Sequence, residues 1–423
     1  MMWYNIDTMT TKENKKFHID YLLLGILILL MGVSIVSISR AGLYLGYSTR
    51  GLAIRQAMWY AIGFGVIFVM SKINSDIIIR LMKIFYFILL FLLFGLIFVK
   101  YVSALHKPLR FLIEDRNGAW GWYSIPGIGT FQPSEFMKIA LIFISADIID
   151  RHNTQIPRAS FINDIKLFFK IGVWAIPPLI LNFLQPDTGI PVIIVISLIF
   201  MLYVGATKNY WFLAILILAV VLYFGIIYLY FNHPHILGRI MGGSEGNSYR
   251  LDRFYGWLEY EKYAQRAGYQ LYNALIALGM GGTRGIVDST FIVHIAEAQN
   301  DFIFSVIGSQ FGLFGTLSVV ALCILLNAKL VYTAVSSVDS RSKYILGGLL
   351  GIFMFQQLQN MAMLVGIMPI TGITLPLISS GGSSLVSYMM GLAYAFSVHN
   401  HTKQNPIYEE SKIPPIVVSK QTS

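Results

Sequence analysis

Four polar clusters interrupt an otherwise oily chain, and each has residue types that could do chemistry. In Gln132-Pro133-Ser134-Glu135-Phe136-Met137-Lys138, a carboxylate and an ammonium lie three residues apart, on one helix face if Pro133 opens the first turn. Glu135 and Lys138 then make either a structural ion pair or a pair that receives a charged headgroup at a cavity mouth. In Gln185-Pro186-Asp187-Thr188-Gly189, Asp187 can cap the next helix, and capping does not prevent it from facing a cavity. Asp301, in Glu297-Ala298-Gln299-Asn300-Asp301, is either another cap or a base. A carboxylate where oil meets water is partly desolvated, which raises its pKa and makes it a better proton acceptor. The fourth cluster runs from Pro369 to Ser384. Its glycines admit close helix packing, while Ser379, Ser380, Ser383 and Ser384 suggest a polar lining.

These clusters matter because of their surroundings. Of the 423 residues, 56% are apolar and 12% are charged. A soluble chain carries about 25% charged residues. There are too few polar side chains to coat a water-soluble particle of this size. A cytosolic enzyme, a disordered tail protein and a secreted disulfide scaffold are therefore excluded, and the solvent is a bilayer. The net charge of +10 marks loops beside anionic headgroups, with no nucleic acid as partner. Cys323, the single cysteine, sits in an apolar run and reads as core, so an internal disulfide and a Cys-ligated metal centre are both out. His233 and His235 read as surface residues rather than metal ligands. No phosphate-binding loop or dinucleotide fingerprint occurs, so no nucleotide is expected.

A hydrocarbon core of ~30 Å needs roughly 20 helical residues to cross it. Runs of that kind lie near 20–39, 54–71, 78–100, 133–150, 168–185, 189–206, 210–231, 302–327, 344–366 and 376–398. The expected fold is an all-α polytopic membrane protein of ten transmembrane helices. It has a tail at 1–19, a membrane domain at 20–399 and a tail at 400–423, with a large extracellular loop at 232–301 between helices 7 and 8. Basic residues fall in the segments that would be cytoplasmic if both termini lie inside, among them Lys12, Lys72, Arg158, Lys208 and Lys412. Within the large loop, Leu251, Phe254, Tyr255 and Leu258 recur at helical spacing. They predict an amphipathic helix, lying on the bilayer surface with Trp257 and Tyr260 at headgroup depth or packed on top of the bundle.

The stretches NGAWGWYSIPGIGTFQPSEFMK, QPDTG, GYQLYNALIALGMGG, EAQNDFIFSVIG and GIMPITGITLPLISSGGSSL occur in this order over essentially the whole chain. In that order and topology the chain resembles the SEDS family (RodA, FtsW and SpoVE), most like RodA through its NGAWGWY and QPSEFMK portion. The resemblance implies a ten-span peptidoglycan glycosyltransferase in the bacterial cytoplasmic membrane. It would polymerise lipid II on the outer face, from a glycan carried on undecaprenyl pyrophosphate. It also implies a class B penicillin-binding protein as partner, and Asp301 as the essential carboxylate. Glu135, Lys138, Asp187, Gln270, Glu297, Arg250, Arg253, Ser379, Ser380 and Ser383 are the expected substrate-binding residues, and Arg284 is a further basic candidate. Positive charge or a divalent cation (Mg or Mn) is expected at the pyrophosphate, with no metal ligands assigned.

The chain departs from the family around this centre. Ile295-Ala296-Glu297 stands where LPE is common, Gly308-Ser309-Gln310-Phe311-Gly312 where GEELG is common, Phe291 replaces a basic residue, and Arg284-Gly285-Ile286 replaces a GKG-like turn. These changes mark a divergent paralogue that keeps Asp301. A flippase or transporter for lipid-linked precursors, and a non-catalytic scaffold for the transpeptidase, are the competing functions.

Overall fold

The computed structural model describes residues 18–102, 109, 112–116, 119–127, 129–156, 160–205, 210–240, 249–286 and 292–404. Most of both tails, Phe291, Arg158 and Lys208 lie outside the described residues. The chain runs through α1 (Tyr21–Leu45), α2 (Arg50–Met70) and α3 (Ser75–Tyr101), then β1 (Ile113–Arg116), β2 (Ala119–Ile125) and β3 (Gly129–Phe131). It continues with α4 (Pro133–Gln155), α5 (Phe161–Leu184), α6 (Gly189–Val204), α7 (Tyr210–Asn232), α8 (Pro234–Ile240), α9 (Tyr249–Leu258) and α10 (Tyr269–Gly281). The last elements are α11 (Ile303–Ser336), α12 (Ser340–Leu364) and α13 (Gly382–Lys403).

Each expected span falls on a helix. Six of them, α1, α2, α3, α5, α7 and α11, are long and apolar enough to cross a membrane. The others differ for a physical reason. α6 has 16 residues, and α4, α12 and α13 carry polar side chains because they are enclosed by other helices instead of lipid. Small residues let these inner helices close up. A Cβ on Gly348 or Gly351 of α12 would come within 2.9 Å of Met201 or Phe200 on α6. α7 is the opposite case: apolar all round, with Tyr230 its one buried residue, it presents itself to lipid.

Three features correct or sharpen the expected fold. First, an antiparallel sheet in the order β1-β2-β3 lies between α3 and α4, where an all-helical chain was expected. Aromatic residues in β2 and the Pro126-Gly127 turn, with Gly127 at φ 79°, favour it locally. Tyr123 anchors it by donating to the Leu92 carbonyl on α3 at 2.8 Å.

Second, α13 starts at Gly382 and not near 376. The segment before it runs through a non-helical turn, with Leu377 at φ 65°, and side chains from other helices satisfy its backbone. Ser34 Oγ donates to the Ile378 carbonyl at 2.7 Å, Gln56 Nε2 to that of Ser379 at 3.1 Å, and Tyr60 to that of Leu377. Non-helical backbone at this depth survives only with such partners.

Third, α9 is packed on the bundle, which removes the bilayer-surface reading. Trp257 is buried and donates through Nε1 to the Gly366 carbonyl at 2.8 Å, and Arg253 Nη1 donates to that of Thr371 at 3.2 Å.

α11 is broken at Gly312, whose φ of 64° no helix contains. A Cβ there would strike the Gly285 amide nitrogen at 2.5 Å. The departures from the family at 284–286 and 308–312 therefore meet in space. Gln310 adds a hydrogen bond to the Tyr44 hydroxyl at 2.8 Å.

Candidate active site

At the end of the bundle where α4, α6, α11 and α13 begin, a cavity of about 1240 Å³ opens between the β-sheet, α9 and the segment ahead of α13. It gathers residues from distant parts of the chain. Glu135, Asp187, Gln270, Glu297 and Asp301 line it, as do Arg253, Ser380 and Ser383. Sequence clusters more than 200 residues apart thus share one hollow.

Asp301 sits in the turn that leads into α11, with an accessible edge toward the cavity and protein on its other sides. Burial pushes its carboxyl up from 3.8 to about 7; Glu297 adds to the rise, while its own amide and Arg253 oppose it. Gly372, at φ 73°, lies beside it: a Cβ built there would stand 3.7 Å from Oδ2.

Asp187 does both things its position allowed. Its Oδ1 accepts the Gly189 and Ile190 amides at 3.1 and 3.3 Å, capping α6, while Oδ2 accepts Gln132 Nε2 at 3.1 Å beside the cavity. Burial raises its carboxyl to about 6, against the pull of those two amides.

Glu135 and Lys138 form an ion pair of 2.6 Å, with Lys138 fully buried behind the cavity wall. The ammonium also donates to the Tyr388 hydroxyl at 3.0 Å, which donates in turn to Gln356 Oε1 at 2.9 Å. Gln356 lines the cavity again. Lys138 therefore supports the wall and does not face the hollow.

Ser379 needs a similar correction. It is buried, donating to the Asn300 carbonyl at 2.7 Å and accepting the Leu375 amide at 2.9 Å, so it braces the backbone instead of lining the cavity. Ser383 both lines the cavity and ties it together, accepting the Gln132 amide at 3.1 Å and donating to the Thr130 carbonyl at 3.0 Å. Arg284 is an exposed residue of the turn after α10, apart from the cavity lining. The Arg250 side chain lies outside the described residues.

Several lining or supporting residues were not foreseen. Arg266 and Trp122 line the cavity. So does Gln356, the first of three amides on one face of α12, with Gln359 and Asn360. Those amides at i, i+3 and i+4 of an apolar span were a readable signal, since polar groups at bilayer depth are expensive. Among the described residues, no group of three or more His, Cys, Asp or Glu comes together as a metal cluster.

Helices enclosing a polar cavity at one end of an apolar bundle define a multi-pass membrane protein. The chain belongs to the FtsW/RodA/SpoVE family of cell cycle proteins, whose model matches residues 17–404. It is 26% identical over 421 residues to a probable peptidoglycan glycosyltransferase FtsW of Lactococcus lactis, covering 94% of this chain and 96% of the relative. To the peptidoglycan glycosyltransferase MrdB of Escherichia coli it is 28% identical over 405 residues, with 93% and 98% covered. Similar identity to both names leaves the expected leaning toward RodA unseparated from FtsW. A solved chain from a peptidoglycan synthase complex superposes with a TM-score of 0.69 at 21% identity, over 92% of this chain and 100% of that one. The Rod shape determining protein RodA of Thermus thermophilus superposes at 0.60, also at 21% identity, with 92% and 98% covered. At such identities these two structures speak to the fold.

Proposed function

We propose that the chain is a peptidoglycan glycosyltransferase that polymerises lipid II on the outer face of the cytoplasmic membrane, both termini lying in the cytoplasm. Family membership supports the class of reaction. The observation that carries the site is Asp301, a carboxylate whose pKa is raised to about 7 at the edge of a polar cavity that Arg253 and Arg266 also line.

In this reading Asp301 takes the proton from the 4-hydroxyl of the incoming sugar. The freed oxygen attacks the anomeric carbon of the lipid-linked glycan, the bond to the diphosphate breaks, and configuration inverts. A general base of this kind contributes about 10²–10⁴ in rate. Arg253 and Arg266 supply positive charge for the departing diphosphate, because preorganised charge acts most strongly where it develops. Glu135, Asp187, Gln270 and Ser383 offer hydrogen bonds to sugar hydroxyls. A class B penicillin-binding protein is the partner that would cross-link the product, and a divalent ion bound to the diphosphate would share its charge.

The transport reading is less well supported. Phe143, Leu349, Phe353 and Leu392 are fully buried below Tyr388 on α4, α12 and α13, beside buried polar side chains such as Ser145 and Ser397, and no second cavity is lined by them among the described residues. The test is a purified, full-length preparation given lipid II, with and without such a partner, alongside liposomes that report lipid II movement. Glycan strands support the proposal. Lipid movement without strands, or neither, refutes it.

A further inference from the structure

Three successive carbonyls grip the turn that carries Asp301. The Gln299 carbonyl accepts the Ser380 amide at 2.9 Å, that of Asn300 accepts Ser379 Oγ at 2.7 Å, and that of Asp301 accepts Asn360 Nδ2 at 2.8 Å. Asn360 is fully buried on α12, and the same nitrogen donates to the Ile373 carbonyl at 2.8 Å. One side chain therefore ties the Asp301 turn to the segment facing it, where Gly372, Ile373 and Thr374 also line the cavity. Gln359, one residue earlier, holds the same segment through the Pro369 carbonyl at 3.0 Å and Thr371 Oγ1 at 3.2 Å. Among the described residues no side chain hydrogen-bonds the Asp301 carboxylate, which its own amide alone meets. Its aim is set through the backbone.

We infer that Asn360 is a positioning residue for Asp301: it fixes where the carboxylate points and does not itself touch substrate. The inference rests on the polymerase reading and deepens it. Both hydrogens of one amide are used on two carbonyls, and removing the amide unties the Asp301 turn from the segment facing it. The turn would then shift, and a displacement of about 1 Å at a reacting group costs on the order of 10²-fold in rate. Glu135, Asp187, Gln270 and Ser383, which would bind the sugar, belong to other elements and make no hydrogen bond with Asn360, so binding should change little.

The test uses the full-length purified protein with lipid II. Asn360→Ala should lower kcat by about 10²-fold with KM within about three-fold of wild type. Asn360→His, which keeps one donor, should fall between. A folded Asn360→Ala protein with kcat within about three-fold of wild type overturns the inference. Should Asn360→Ala fail to insert, Ser379→Ala and Asn360→His carry the test: wild-type kcat in both overturns it, and reduced kcat at unchanged KM supports it. A second readout is independent of activity. The rate at which a carbodiimide modifies Asp301, followed by mass spectrometry, should change in Asn360→Ala, and an unchanged rate counts against positioning. If wild type makes no glycan while that rate still changes, the polymerase reading fails and the positioning role stands.

Discussion

Burial is the largest influence on Asp301, and because it opposes charge, the carboxyl stands at about 7 in the folded protein against 3.8 for the ordinary group. A base must be ionised to act, so kcat/KM should rise with pH through about 7 and level off above it, measured as strand synthesis across the range. A profile that is flat there would separate Asp301 from the proton transfer. The same shift has a consequence for stability. With the folded pKa above the unfolded one, the stability this group contributes is full at low pH and is lost as pH rises through about 7. Asp301→Asn lacks that loss. Thermal unfolding should find it at least as stable as wild type at pH ~8, with the difference shrinking toward pH ~5; a less stable variant at pH ~8 contradicts the burial argument. At this scale Asp301, Glu135 and Asp187 were legible, because charges stand out in an oily chain. Gln356 and Asn360 carry no charge, and only the face they share with Gln359 on α12 marks them in the sequence. Arg266 reaches the cavity only through the turn between α9 and α10, which no local pattern reveals.

Among the elements, the break in α11 and the docking of α9 shape the cavity end. Gly312 has both a left-handed φ and a backbone nitrogen 2.5 Å from where a Cβ would stand. Gly312→Ala should therefore yield less folded protein and a lower Tm, with a cost above the ~1–3 kcal/mol of backbone strain alone. Unchanged melting would show that the two turns are not in contact. Trp257→Phe keeps the ring but loses the hydrogen bond to Gly366, so limited proteolysis should cut residues 259–268 faster. An unchanged cleavage rate would show that this bond does not hold α9 down. Helix positions were legible from apolar runs, whereas the docking of α9 was not. Its amphipathic spacing serves a bilayer surface or a protein surface equally, and the Gly366 carbonyl that decides between them is over 100 residues away. The start of α13 was misplaced because Pro376-Leu377-Ile378 reads as the first turn of an apolar helix, whereas Ser34, Gln56 and Tyr60 hold the backbone of 377–379 in a non-helical turn.

Across the whole molecule, the end away from the cavity is fastened by charge. Lys329 and Asp20 pair at 2.6 Å, both nearly fully buried, with His399 Nδ1 3.2 Å from the same carboxylate oxygen. Arg341 reaches Asp76 and Asp150 at 2.7 and 3.3 Å, in a more open setting. Removing one partner of a buried pair strands the other, so Lys329→Ala should destabilise by roughly 3–5 kcal/mol. Arg341→Ala should cost about 1 kcal/mol or less. Thermal unfolding in detergent checks the order, and both variants should keep wild-type kcat per folded molecule, being remote from the cavity. Equal destabilisation would mean that burial does not govern these pairs. Composition made the membrane setting legible. The enclosed polar helices α4, α12 and α13 depart from ordinary span composition because their neighbours are helices.

The most direct test compares glycan strand synthesis from lipid II by wild type and by Asp301→Asn, both folded and membrane-inserted, under identical conditions. Strands from wild type and none from the variant are the predicted result. Equal synthesis by the two would contradict the assignment of Asp301 as the base.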